Sequence, residues 1–195
     1  MAIAEIAYTA EQIRARIAEL AEELRTDLPG DRPLLISVLK GSVIFLADLI
    51  RHLDLEPEVD FMSISSYGGG RSDTGVARIV KDLEEPLAGR NVVLVEDIVD
   101  TGLSLSYLVR TLHTRGPATL KVCTLIDKSV RRIVDVQVDY RGFTSEKFLI
   151  GYGLDFQGHY RNLPYLMAVN DVATLAARPQ VLLQELPHSA HSGSS

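Results

Sequence analysis

A run of apolar residues that ends in an acidic loop constrains the fold of this chain more than any other feature. Residues 92–95 read Val-Val-Leu-Val without polar alternation, which predicts a central parallel strand covered on both faces. Glu96, Asp97 and Asp100 follow at the carboxyl end of this strand, where open α/β sheets place their ligands. A Thr-Gly turn at 101–102 then leads into an apolar-periodic segment. The order is therefore strand, acidic loop and helix start.

The acidic loop offers two kinds of binding group at once. Its carboxylates suit a hard cation or a sugar diol, and the backbone N–H groups at a helix N-terminus suit a phosphate. A ribose 5-phosphate that carries a second phosphorylated group would use both. The alternative is an acidic turn that only caps a helix, since Asp and Thr are common N-cap residues and Gly is common in turns.

Strand and helix patterns alternate along the first two thirds of the chain. We predict helices at about 10–28, 43–53 and 103–115, and strands at 33–39, 59–66, 77–81, 92–95 and 119–126. Such an order implies parallel βαβ units with right-handed crossovers, hence a doubly wound sheet. This topology brings Lys40-Gly41, residues 96–104 and Lys128 to the same edge of the sheet.

Two other loops carry candidate binding groups. Lys40-Gly41 lies between a buried strand and a helix start, where an ammonium group and backbone N–H groups can meet an anion. The alternative is a solvated lysine, as most lysines are. After Ser66-Tyr67, three glycines and small polar residues predict a mobile loop of about a dozen residues. It is either a lid that closes during chemistry or a passive hairpin loop.

From about residue 136 the pattern changes to short β-like segments separated by glycines. We expect residues 136–170 to form most of a small β-rich hood within a single domain that covers residues 1–178. Phe148 is a candidate for stacking on a flat aromatic ring, although the pattern alone favours a core position. Residues 179–195 are a C-terminal extension, and its polar, Gly/Ser-rich end is expected to be disordered.

Composition narrows the class of function. Of the 195 residues, 46% are hydrophobic and 24% charged, as in ordinary soluble globular proteins. The formal net charge of −6 counts against nucleic-acid binding, which needs a basic face. Neither a membrane span nor a signal peptide is visible, and Cys123 is the single cysteine. We expect a cytoplasmic protein that binds neither nucleic acid nor membranes.

Four segments together resemble one enzyme family. VVLVEDIVDTGLSLS resembles the phosphoribosyl pyrophosphate signature of the type I phosphoribosyltransferases, in the form of the hypoxanthine (6-oxopurine) branch. LKGSVIFLADL resembles the pyrophosphate loop, Ser66-Tyr67 with its flexible continuation resembles the catalytic loop, and KFLIGYGLDFQGHYRNLPYL resembles the purine-binding hood. The matches follow the family order over residues 5–170, and Leu103-Ser104 has the form of bacterial members.

The resemblance implies both a fold and an activity. The fold would be that of the type I phosphoribosyltransferases, a central, mostly parallel sheet flanked by helices with a small β-rich hood. The activity would be transfer of the 5-phosphoribosyl group from phosphoribosyl pyrophosphate to N9 of hypoxanthine, and of guanine, in purine salvage. The products would be IMP or GMP and pyrophosphate. The resemblance also implies Mg²⁺ as cofactor, a homodimer or homotetramer, and a cis Leu39–Lys40 peptide bond.

Individual residues receive roles from the same resemblance. Asp100 would be the general base, with a helix-capping role as the alternative. Glu96, Asp97 and Asp155 would face the metal, and Lys128 would donate to the purine 6-oxo group. The remaining substrate-binding residues would be Lys40, Gly41, Ser66, Tyr67, Thr101, Gly102, Leu103, Ser104, Phe148, Leu149 and Arg161.

One departure from the family pattern leaves the edge of the base pocket open. Lys128 is followed by Ser-Val-Arg-Arg at 129–132 rather than by a proline-containing turn. Xanthine or another base is therefore an alternative substrate. A nucleic-acid-binding regulator on the same fold is an alternative of a different class, and the acidic net charge counts against it.

Overall fold

The structure is a computed structural model that describes residues 2–30, 32–66 and 77–182. Its strands are β1 (Ala4–Tyr8), β2 (Leu34–Leu39), β3 (Glu58–Ser66), β4 (Ala77–Lys81), β5 (Asn91–Val99), β6 (Thr119–Asp127), β7 (Tyr140–Thr144), β8 (Phe148–Ile150) and β9 (Leu166–Val169). Its helices are α1 (Ala10–Asp27), α2 (Val43–His52), α3 (Leu103–His113) and α4 (Val172–Ala177), with a 3₁₀ turn at Ser129–Arg131.

The main sheet has six strands in the order β4-β3-β2-β5-β6-β7. Strand β2 pairs in parallel with β3 and β5, β5 pairs in parallel with β6, and β6 with β7. Only β4 runs antiparallel, beside β3. The predicted α/β fold with a mostly parallel sheet is confirmed. The central strand β5 extends to Val99, so Glu96 and Asp97 lie within the strand and only Asp100 lies in the loop.

Helices cover both faces of this sheet, which explains the four consecutive apolar residues of β5. Val93 and Val95 pack in the core with residues of α1 and α2. Val92 and Leu94 pack on the opposite face with residues of α3. All four side chains have an exposed fraction of 0%. A strand without polar alternation is therefore stable here because each face has a helical cover.

Helix α1 begins at a capping box, formed by Thr9 and Gln12. The Thr9 hydroxyl accepts a hydrogen bond from the Gln12 N–H at 3.3 Å, and the Gln12 side chain accepts one from the Thr9 N–H at 2.8 Å. Arg16 fixes the helix to β7, donating to the carbonyls of Gly142 and Arg141 at 3.1 and 2.7 Å. Neither α1 nor any other helix in the described ranges has the length and apolarity of a membrane-spanning segment.

A second, antiparallel sheet of three strands has the order β1-β9-β8. The hood was predicted mainly from residues 136–170, but β7 belongs to the main sheet, where it pairs with β6. Strand β1, which the sequence analysis did not predict, instead joins the small sheet through β9. Apolar residues from β8, β9 and α4 form a separate cluster on this sheet. The glycine-rich loop predicted after Ser66 and the C-terminal end lie outside the described residues.

Candidate active site

A small cavity opens where β5 ends and α3 begins. Its volume is about 240 Å³. It is lined by Ile64, Glu96, Ile98, Val99, Asp100, Thr101, Gly102, Ser104 and Leu105. The fold brings together five residues with binding roles predicted from the sequence: Glu96, Asp100, Thr101, Gly102 and Ser104.

Gly102 shapes the turn at the start of α3. It is the N-cap residue, with φ of +83°, a conformation that residues with a side chain rarely adopt. A Cβ atom there would lie 2.8 Å from Cδ of Arg132 and 2.8 Å from the Val134 carbonyl oxygen, so the position accepts only glycine. The first N–H groups of a helix lack intrahelical acceptors. Except for the Leu103 N–H, which donates to the Thr101 hydroxyl at 3.5 Å, those of α3 are therefore available to an anion in the cavity.

Asp100 lies between two cationic side chains of the segment that follows β6. Its Oδ2 atom is 3.8 Å from Nζ of Lys128, and its Oδ1 atom is 3.3 Å from Nε of Arg131. Lys128 is only 3% exposed, which is rare for a lysine and requires a partner. The side chain that accepts a hydrogen bond at the start of α3 is that of Thr101, to which the Leu103 N–H donates at 3.5 Å, so the structure does not place Asp100 in the alternative, helix-capping role.

Glu96 and Asp97 lie on opposite faces of β5, because successive side chains of a strand alternate. Glu96 is 7% exposed and lines the cavity. Burial, and secondly the charge of Asp97, raise the pKa of the Glu96 carboxyl well above its usual value. Burial also raises the pKa of Asp97 to about 6, although the Ile98 N–H donates to its Oδ1 atom at 2.8 Å. A bound cation would favour the ionised form of both carboxyls.

The predicted pyrophosphate loop packs directly against Asp97. A Cβ atom on Gly41 would lie 2.6 Å from Cγ of Asp97 and closer still to Oδ2, so only glycine allows this approach. Gly153, with φ of +95°, packs in turn against the Gly41 carbonyl group. The exposed Lys40 precedes this contact, and the Leu39–Lys40 peptide bond is cis.

Arg161 lies in the segment after β8 and contacts two other residues of that segment. Its Nη1 atom donates to the Gly153 carbonyl at 2.6 Å, and its Nη2 atom lies 2.6 Å from Oδ1 of Asp155. The Arg161 charge lowers the pKa of Asp97 and the Asp155 charge raises it. Asp97, Asp155 and Arg161 therefore lie close enough together to affect one another electrostatically, next to the Lys40-Gly41 loop.

The two residues predicted to contact a base differ in exposure. Phe148 is 38% exposed and packs edge-to-face with Phe156 at a ring-centroid distance of 5.8 Å. Its ring is thus partly free, in contrast to the core position that the pattern alone favoured. Leu149 is 5% exposed and belongs to the main core cluster. Its side chain points into the core, so only its backbone is available to a ligand.

The roles predicted for Ser66 and Tyr67 are not tested by the structure. Ser66 is the last residue of β3, and Tyr67 lies outside the described residues. Within residues 2–30, 32–66 and 77–182, no three His, Cys, Asp or Glu side chains converge as a metal-binding group. This agrees with the chemistry of Mg²⁺, which proteins usually hold through one or two carboxylates plus substrate phosphates. The carboxylates present fit such an ion.

Residues 6–157 match the family model of the phosphoribosyl transferase domain. The chain belongs to the phosphoribosyl transferase family. The family predicted from the four sequence segments is therefore confirmed, and with it the type I phosphoribosyltransferase fold.

Three proteins similar to this phosphoribosyl transferase are named hypoxanthine or hypoxanthine-guanine phosphoribosyltransferases. A hypoxanthine-guanine phosphoribosyltransferase of Mycobacterium avium is 47% identical over 171 residues, which cover 84% of each chain. A crystal structure of a hypoxanthine-guanine phosphoribosyltransferase from Bacillus anthracis, with HEPES in its active site, aligns with a TM-score of 0.81 and 42% identity. It covers 85% of this chain and 98% of the other. A Trypanosoma cruzi hypoxanthine phosphoribosyltransferase, a mutant solved as a ternary substrates complex, aligns with a TM-score of 0.81 and 38% identity. The aligned part covers 88% of this chain and 98% of that one.

The ionic contacts of Asp127, next to the loop that carries Asp100, were not predicted from the sequence. Asp127, 2% exposed, pairs with Arg132 and lies 3.6 Å from Nη1 of Arg141. Among the described residues, the two buried side-chain polar atoms without a hydrogen-bond partner are Oδ1 of Asp100 and Nη1 of Arg132. The two consecutive arginines after Lys128 were the available signal, but a sequence does not show which acid each arginine meets.

Proposed function

We propose that the protein transfers the 5-phosphoribosyl group of phosphoribosyl pyrophosphate to N9 of hypoxanthine, and of guanine, releasing pyrophosphate. The observation that carries the proposal is the pairing of the cavity-lining Asp100 with the buried Lys128 beside the N-terminus of α3. This arrangement supplies a proton acceptor, a hydrogen-bond donor and an anion cradle within one site. The names of the relatives support the same reaction.

The 5-phosphate would bind at the start of α3. The N–H groups from Asp100 to Ser104 and the hydroxyls of Thr101 and Ser104 would surround its oxygens, where the helix dipole favours negative charge. Glu96 lines the same cavity and would accept hydrogen bonds from the ribose hydroxyls, as would Asp97. The phosphate and the sugar would thus fix the position of the ribose C1 atom.

Positive charge develops on the ribose as pyrophosphate leaves, so the protein must stabilise the departing anion. Lys40, the N–H of Gly41 and Arg161 would bind it, because the Gly41–Gly153 contact brings their loops together. Asp97 and Asp155 would hold Mg²⁺, directly or through water, and Glu96, on the opposite face of β5, would reach the ion through water. The ion, when bound, supplies positive charge that neutralises the pyrophosphate.

The purine would bind with its 6-oxo edge toward Lys128 and Asp100. The 6-oxo oxygen and N7 are neighbours on one edge of the ring, which matches a donor and an acceptor 3.8 Å apart. Lys128 would donate to the oxygen, and Asp100 would accept a ring proton as the bond to N9 forms. Adenine presents an amine donor there and would leave the lysine without an acceptor. Phe148 would stack on the ring.

A homodimer or homotetramer and a cytoplasmic location belong to the same proposal. Both follow from the family resemblance and the composition of the chain. Sedimentation analysis of the purified protein would test the oligomer.

Steady-state kinetics with hypoxanthine, guanine, xanthine and adenine test the proposed reaction. We expect turnover with the first two bases, and Asp100→Asn should lower kcat about 100-fold with little change in KM. Lys128→Met keeps the length of the buried side chain and should reduce the preference for hypoxanthine over adenine by about tenfold or more. Absence of turnover with every 6-oxopurine would refute the reaction. Preference for xanthine would correct the substrate.

A further inference from the structure

The two oxygens of Asp100 have different surroundings. The Asp100 side chain is 39% exposed as a whole, yet its Oδ1 atom is buried and accepts no hydrogen bond from the described residues. The exposed part of the carboxylate is therefore its Oδ2 side, which is also the side 3.8 Å from Nζ of Lys128. Nε of Arg131 lies 3.3 Å from the buried Oδ1 atom. The carboxylate thus has an inner oxygen beside Arg131 and an outer oxygen beside Lys128.

Backbone hydrogen bonds fix the segment that carries Arg131 to the loop that carries Asp100. The Lys128 N–H donates to the Val99 carbonyl at 2.9 Å, and the Ile133 N–H donates to the Thr101 carbonyl at 2.9 Å. The bonded residues lie on either side of Asp100 in one segment and on either side of Arg131 in the other. The separation of the two backbones is therefore fixed, and it keeps Arg131 within reach of Asp100, although the Arg131 side chain is 55% exposed.

We infer that Arg131 is a positioning residue for the proposed reaction: it holds Oδ1 of Asp100 inward so that Oδ2 faces the purine edge beside Lys128. In the proton transfer, the ring N–H bond breaks and an O–H bond forms on Oδ2. Without Arg131 the carboxylate is free to rotate about its Cβ–Cγ bond, and the acceptor no longer occupies one orientation. This inference rests on the proposed role of Asp100 as the base.

The variant Arg131→Ala removes the contact, and Arg131→Lys retains a cation on the same turn. Since a partly exposed ion pair contributes at most about 1 kcal/mol, we expect Arg131→Ala to lower kcat roughly fivefold. KM for both substrates should change less than about twofold, because the inferred role of Arg131 acts through Asp100 and not through binding of either substrate. Arg131→Lys should recover most of the loss. Arg115→Ala is the matched control, since Arg115 makes a comparable partly exposed ion pair with Asp82 at 2.8 Å, outside the site.

The double variant with Asp100→Asn separates the possible explanations. If Arg131 acts through Asp100, Arg131→Ala should have no further effect on kcat in the Asp100→Asn background. An equal loss in both backgrounds, a rise in KM with kcat unchanged, or no loss in the single variant would each overturn the inference. If Asp100→Asn alone leaves kcat unchanged, the base assignment fails as well. The single Asp100 variant therefore distinguishes failure of the proposed function from failure of the Arg131 inference.

Discussion

Replacing Gly41 by alanine should impair catalysis more than folding. The new Cβ atom would lie 2.6 Å from Cγ of Asp97, well inside van der Waals contact. The obstacle is the end of a side chain, so Asp97 can rotate away while the backbone stays in place. Rotation removes the hydrogen bond from the Ile98 N–H to Asp97, which should cost about 1–2 kcal/mol of unfolding free energy.

The effect on turnover should be larger. A displacement of about 1 Å in a positioned group can reduce the rate about 100-fold, equivalent to about 2.7 kcal/mol of transition-state stabilisation. We therefore expect Gly41→Ala to lower kcat/KM for phosphoribosyl pyrophosphate about 100-fold. Steady-state kinetics at saturating hypoxanthine would measure it, alongside urea unfolding of the same preparation.

Two other glycines provide controls for Gly41→Ala. Gly153 has φ of +95°, and a Cβ atom there would overlap the backbone carbonyl of Gly41. Gly153→Ala should therefore cost about 2–6 kcal/mol of stability, from backbone strain together with overpacking. Gly116 has φ of +70° but open space around it, so Gly116→Ala should lose about 1 kcal/mol of stability and no activity. If Gly41→Ala retains wild-type kcat/KM, Asp97 does not need its observed position and the reasoning is refuted.

Two further predictions concern acid stability and the metal. Asp60 is 5% exposed. Burial raises the pKa of its carboxyl, but the net shift is downward. The pKa is lowered by hydrogen bonds from the N–H groups of Glu85, Phe61 and Glu84 and by the charge of Lys81. Because the folded-state pKa lies below the ordinary 3.8, this stabilisation is present above that pH and is lost as pH falls through the lower folded value. Asp60→Asn should therefore lower the free energy of unfolding at neutral pH and make it fall less steeply between about pH 5 and pH 2, as measured by urea unfolding at each pH. An unchanged pH dependence over this range would exclude Asp60 as a cause of the decline. Excess chelator should abolish phosphoribosyl transfer and added Mg²⁺ should restore it; full activity in chelator would contradict the proposed charge neutralisation.

The core was predictable because its strands are continuous apolar runs. Residues 92–95 could be placed in a doubly covered strand, since no half-exposed strand would leave four such side chains in sequence. Helix α1 was predictable from its capping box and the spacing of Ile13, Ile17, Leu20 and Leu24, all at most 1% exposed. In both cases a local pattern fully specifies the environment.

The small sheet was less predictable because its strands are short and far apart in sequence. β1 has only five residues, and their exposure does not alternate, because Glu5 and Ile6 are both exposed and the other three are half-buried, so no strand period is visible. β7 resembles its neighbours in composition, and only pairing with β6 assigns it to the main sheet.

The ion pairs could not be predicted from the sequence for a related reason. The partner of Arg131 is 31 positions away in sequence, 131 minus 100, and sequence spacing does not report such a contact.

The pairing of β1 with β9 has a consequence for how the molecule is completed. Ala4 pairs with Val169, so the small sheet joins a segment that is synthesised early with one that is synthesised much later. Contacts so distant along the chain form late, since the entropy of closing the intervening loop must be overcome first. A ribosome-bound chain arrested before residue 166 should already be able to pair β2 with β5, while β1 still lacks its neighbouring strand. The part of the enzyme that carries Phe148 would thus be the last to mature.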